Sequence, residues 1–96
     1  MHSSARLGAA LRMLRQAKGV SQEDFGIVSS RTYVSTVERG LKSPTIGKIE
    51  QLAEVLGVHP LTLVACAYLD EYSDNGVETA LSELRSELMT LLEEAQ

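Results

Sequence analysis

The stretch Ser21–Gly40, SQEDFGIVSSRTYVSTVERG, limits what this chain can fold into more than any other. Ser21 can cap a helix by accepting the amide of Asp24, and Ser29 or Ser30 can cap a second one. The spacing therefore predicts two short helices around a tight turn, the first ending near Ile27 or Val28 and the second stopping at Gly40. In the second helix Tyr33, Val34 and Val37 share an inward spacing, while Arg31, Thr32, Ser35 and Thr36 point elsewhere. A helix this rich in Ser and Thr has weak intrinsic propensity, so its neighbours must hold it in place. That suits a helix whose polar face is used for recognition and is odd for a purely structural one.

The remaining chain supplies such neighbours. A first helix over about Ser4–Lys18, capped by Ser3 or Ser4, carries Leu7, Leu11 and Leu14 on one stripe beside Ala10 and Ala17. Arg12 falls off that stripe. Thr45 caps a fourth helix, Ile46 to Leu56, whose Ile46, Ile49, Leu52, Ala53 and Leu56 repeat at three and four residues. Pro60 suits the first turn of a fifth helix, Leu61 to about Leu69, apolar on nearly every side and so either buried or covering a partner. Asn75, followed by Glu78, resembles a capping box that opens a sixth helix running to about Glu94. There Val77, Leu81, Leu84, Leu88 and Leu91 step by four and three, a coiled-coil seam, with Glu83, Glu87 and Glu94 on the other side. Two heptads are marginal alone, so this helix is expected to pack on the fifth helix, on a second subunit, or on both. The expected fold class is all-α, a five-helix unit in residues 1–70 plus a C-terminal amphipathic helix in 74–96 that serves dimerisation.

Ninety-six residues with 4% aromatics and no Trp imply one domain with an aliphatic core. No apolar run approaches the roughly 18 residues of a membrane span, and no secretory leader is visible. A single Cys cannot form an internal disulfide, which makes a reducing cytoplasm the natural compartment. The net charge of −4 argues at first against a polyanionic partner. Its distribution reverses that. Residues 1–48 hold eight basic side chains against three acidic ones, a balance of +5, and residues 49–96 hold one against ten, a balance of −9. A chain polarised in this way can turn a basic face to phosphates while its acidic half points away.

Catalytic chemistry has little support. His2 and His59 have no Cys or carboxylate at metal-ligand spacing, and Cys66, on the apolar fifth helix, reads as a core residue. No phosphate loop and no paired-carboxylate motif is present. No enzyme activity, cofactor or metal is expected.

RMLRQAKGVSQEDF followed by RTYVSTVERGLKSPTIGKIEQLAEVLGV resembles the phage-repressor-like (XRE or Cro type) helix-turn-helix family over about residues 6–65. The resemblance implies a five-helix domain in which the second and third helices bind DNA. The span Ser21–Gly40 is about two residues shorter than the common pattern, and the turn at Val28-Ser29 lacks the usual Gly, so the second helix is expected to be trimmed while RTYVSTVERG is complete. Carried over by position, Arg31, Thr32, Thr36 and Ser35 are candidates for base contacts. A guanidinium can bond both O6 and N7 of guanine, and a Thr methyl can meet that of thymine. For Arg31 a plain phosphate contact is the competing reading; Ser30 and Ser35 suit a phosphate or a cap better than a base, and Tyr33 suits core, phosphate or base. Gln22, Ser30, Tyr33, Arg39, Lys42, Ser43 and Thr45 are the candidates for the DNA backbone. Arg15 and Glu38 match positions that pair as a buried ion pair in similar domains, and Glu38 near a helix C-terminus is unfavourable unless a cation meets it.

The expected function is therefore a sequence-specific transcriptional regulator, acting as a homodimer on a two-fold symmetric site, through a dimer interface of Val77, Leu81, Leu84, Leu88 and Leu91. Rival readings are an antitoxin or a restriction-modification controller built on the same domain, or an adaptor whose acidic sixth helix docks a protein partner.

Overall fold

The computed structural model describes residues 3–96, so His2 lies outside the described residues. The described chain is all-helical: α1 (Ser3–Ala17), a single 3-10 turn (Gln22–Phe25), α2 (Arg31–Glu38), α3 (Ile46–Leu56), α4 (Pro60–Tyr68) and α5 (Asp74–Ala95). It has five α-helices rather than the six expected from sequence. The expected second helix has shrunk to one 3-10 turn. Ser21 and Asp24 do form the reciprocal capping box, but Gly26, β-branched Ile27 and Val28, and two serines follow Phe25. Those residues propagate a helix poorly, and so short a segment cannot recover the cost of nucleation.

Ala10, Leu11, Phe25, Val34, Val37, Leu52, Leu56, Leu63 and Ala67 form one buried cluster, which draws on α1, the 3-10 turn, α2, α3 and α4. Phe25 is fully buried and gives the 3-10 turn its only buried side chain. The α1 stripe is narrower than its spacing suggested: Leu11 and Ala10 are buried, Leu7 and Leu14 pack at the cluster's edge, and Ala17 is exposed. What α1 adds instead is Gly8. A Cβ there would stand 2.3 Å from the Val37 carbonyl oxygen, so α1 and α2 approach more closely than any side chain allows. Gly40, at φ +76°, closes α2 in the left-handed region while lying against Ala5 of α1.

The α4 helix is neither fully buried nor fully open. Leu63 and Ala67 face the cluster, Cys66 packs partly against it, and Leu61 and Tyr68 are exposed. The last helix starts earlier than expected. Ser73, not Asn75, is the cap, its hydroxyl accepting from the Gly76 amide, and Asp74 joins the first turn where a negative charge favours the helix dipole. A side chain at position 76 would collide with the Glu71 carbonyl, so glycine lets the linker fold tightly onto the start of α5. From there α5 runs 22 residues, about 33 Å at the usual rise per residue, with no buried residue.

Candidate nucleic-acid interface

The α2 helix is anchored from within. Val34 and Val37 are fully buried, and Ser30 opens the helix by accepting from the Tyr33 amide. At its far end Glu38 meets Arg15 of α1 in a bidentate pair, Nε to Oε2 at 2.7 Å and Nη2 to Oε1 at 3.1 Å. Only 15% of the Arg15 side chain and 5% of that of Glu38 reach solvent. The hydrogen bond to Glu38 raises the Arg15 pKa above its ordinary value, against the opposing effect of burial, so the guanidinium stays charged. Arg15 also donates to the Val20 carbonyl, and Gln22 donates through Nε2 to Glu38 Oε1 at 3.1 Å. The Glu38 carboxylate thus holds α1, the start of the 3-10 turn and the end of α2 in one network. Its cation offsets the unfavourable placement of a carboxylate at a helix C-terminus.

With one face fixed, the other presents its polar groups. Arg31 and Thr32 are exposed at the N-terminal end of α2, and Ser35 and Thr36 are half-exposed one turn later. The Thr36 hydroxyl donates to the Thr32 carbonyl at 2.7 Å, so toward a base it offers its methyl group and an acceptor oxygen rather than a proton. Arg39 lies back along the helix, with Nε near the Ser35 carbonyl and Nη2 near the Thr36 hydroxyl.

The backbone-contact candidates divide by how they are already engaged. The hydroxyls of Ser30 and Thr45 accept from the amides of Tyr33 and Lys48, which leaves each O–H free to donate to a phosphate. The Ser43 hydroxyl bonds to that of Ser4, which joins the loop after α2 to α1. Gln22 spends one Nε2 hydrogen on Glu38 and keeps one. Tyr33 is half-buried beneath two cations, with Lys42 Nζ 5.5 Å and Lys48 Nζ 5.2 Å from its ring centroid. Burial pushes its phenol above the ordinary value, so it remains a neutral donor at physiological pH. Lys48 also donates to the Val28 carbonyl at 2.6 Å and so ties α3 to the turn before α2.

Two features escaped the sequence. Glu23, on the 3-10 turn, pairs with Arg31, Nε to Oε1 at 3.1 Å. Ile27 stands 98% exposed between that turn and α2. Glu23 and Arg31 are eight residues apart across a non-helical turn, so neither helical nor strand periodicity brings them together. The seam of α5 is placed differently from the other candidates. Val77, Leu81, Leu84, Leu88 and Leu91 lie between 41% and 52% exposed, and Met89 and Leu92 extend the same apolar surface.

Residues 6–65 match the family described as "Helix-turn-helix domain". The chain is 38% identical over 60 residues to an uncharacterized HTH-type transcriptional regulator, y4dJ, of Sinorhizobium fredii, covering 60% of this chain and 78% of that protein. Among solved structures it is similar to the restriction-modification controller protein C.AhdI of Aeromonas hydrophila, with 39% identity and a TM-score of 0.59 over 62% of this chain and 90% of that one. The clp gene regulator ClgR of Corynebacterium glutamicum superposes along the whole length, covering 100% of this chain and 96% of that one, at 26% identity and a TM-score of 0.66.

Proposed function

The chain belongs to the helix-turn-helix domain family, in its phage-repressor-like branch of DNA-binding transcription regulators, and from that premise we propose that it acts as a homodimeric repressor reading a two-fold symmetric operator. One observation carries this reading. The buried face of α2 is locked to α1 through Arg15 and Glu38, while Arg31, Thr32, Ser35 and Thr36 face outward beside Lys42 and Arg39. In the proposed complex the N-terminal half of α2 enters the major groove, Arg31 bonds guanine, and Thr32, Thr36 and Ser35 meet neighbouring base edges. Gln22, Ser30, Tyr33, Arg39, Lys42, Ser43 and Thr45 line the flanking phosphates. Occupying the operator suffices to exclude a competitor, so repression needs no further chemistry and no cofactor. A reducing cytoplasm, where free Cys66 is stable, is the compartment proposed.

Dimerisation is assigned to α5. Its seam is too apolar to be left in water, and the opposing seam of a second copy has the matching repeat. Two α2 helices would then meet successive major grooves about 34 Å apart. The test is selection of bound duplexes from a random pool, followed by affinity measurements over a range of salt. Log affinity is expected to fall linearly with log salt as Lys and Arg contacts release counterions, and the selected site is expected to be palindromic. A folded protein that binds no duplex even at low salt would support the adaptor reading instead.

The likeness to C.AhdI favours a second reading within the same class, a controller of restriction and modification genes. Mapping the selected site onto the genome separates the two. A site upstream of a restriction gene supports the controller.

A further inference from the structure

Arg31, the side chain proposed above to read guanine, is already engaged, and its partner is a carboxylate of the 3-10 turn. Glu23 Oε1 lies 3.1 Å from Arg31 Nε, with both side chains more than half exposed. No other partner of Arg31 exists among the described residues. An exposed ion pair of this kind adds little to folding stability, so the fold does not depend on it. Near phosphates a carboxylate also weakens binding to any duplex. The contact is an ion pair at the Nε end of a planar, five-donor fork, without a hydrogen bond, so it acts on the guanidinium through charge.

We infer that Glu23 is a specificity-determining positioning residue: its charge draws the Arg31 guanidinium to the start of α2, where the fork can meet O6 and N7 of one guanine, and it penalises the looser pose in which Arg31 grips a phosphate. The inference rests on Arg31 as a base reader. Its geometry comes from the trimmed second helix. Gln22, the neighbour of Glu23, is bonded to Glu38 at the end of α2, and Glu23 is paired with Arg31 at its start. The Gln22–Glu38 bond and buried Phe25 hold the backbone of the 3-10 turn from which Glu23 extends toward the start of α2. A flexible Arg pays ordering entropy on binding DNA, and a pre-held one pays less of it.

The experiment uses the full chain and the duplex selected from a random pool. Affinities are measured at one salt concentration for that duplex, for versions changed one base pair at a time, and for a random-sequence duplex. A well-placed Arg–guanine contact discriminates between bases by about fivefold to a hundredfold. In Glu23→Gln that discrimination is expected to drop several-fold at one G·C pair while random-duplex binding strengthens. Glu23→Asp keeps the charge but shortens the reach, so discrimination is expected to fall without the gain in random binding. In an Arg31→Ala background neither change is expected to alter discrimination. If Glu23→Gln shifts all duplexes equally and leaves every base preference intact, the carboxylate is only a local charge and the inference is overturned, with Arg31 still the reader. If Arg31→Ala itself leaves every base preference intact, both the inference and the base-reading role fall.

Discussion

The body from α1 to α4 and the α5 helix are built from the same kind of apolar periodicity, yet they end in opposite states. In the body, Leu11, Leu52, Leu56 and Leu63 are buried around Phe25, and every element contributes to one cluster. In α5, five residues at an equally regular spacing remain about half exposed. The difference is one of closure. Elements of the body are joined by short turns that bring their stripes face to face, while the tight Glu71–Gly76 corner sends α5 off without a facing stripe among the described residues. An apolar pattern therefore says that a face must be covered and not by what.

The contrast can be broken most forcefully in the body. Phe25→Ala removes the only buried side chain of the 3-10 turn and is expected to cost about 3–5 kcal/mol in urea denaturation. Such a loss would remove most of the stability of a domain at the low end of the usual range, roughly 5–15 kcal/mol. Arg15→Ala leaves Glu38 nearly buried and without its cation, and is expected to cost about 3 kcal/mol, the low end for a broken buried pair because part of Arg15 reaches solvent. Unchanged thermal stability would mean that the pair is a surface contact after all.

The same logic applied to α5 predicts a different readout. Leu84→Asp or Leu88→Asp is expected to weaken self-association at least tenfold by sedimentation, and to weaken operator binding with it. The folded body should keep its helicity, because neither residue is buried in the single chain. A monomer whose stability collapses with the substitution would show that α5 belongs to the body's core. Smaller again is Ser30→Ala, which deletes the cap of α2 and is expected to cost about 1 kcal/mol of stability while loosening the reader helix. The smallest change belongs to Arg6→Ala, which breaks the exposed pair with Asp70 at 3.0 Å. Less than about 1 kcal/mol is expected, shrinking further in high salt.

Local rules along the chain set the helical class, the caps at Ser21, Ser30 and Thr45, the span of α3 and the inward set Val34 and Val37. All of these are local: a cap and its amide lie three residues apart, and a helical stripe repeats within one turn. The sequence also put Arg15 beside Glu38 through family resemblance, a contact that spacing alone could not give across 23 residues. The trimming of the second helix was legible too, since Gly26 and two β-branched residues follow its cap; only its extent, one 3-10 turn, came from the structure. The tertiary structure decided that Ser73 rather than Asn75 opens α5, because the linker fits only over Gly76. Above all it brought Gln22 to Glu38, Lys48 to Val28 and Glu23 to Arg31. Such contacts carry no periodic signature, since their separation is set by how a trimmed turn packs against the helix it precedes. Ser21–Gly40 was legible as two elements around a turn, and the packing fixed its second helix through Val34, Val37 and the Arg15–Glu38 pair.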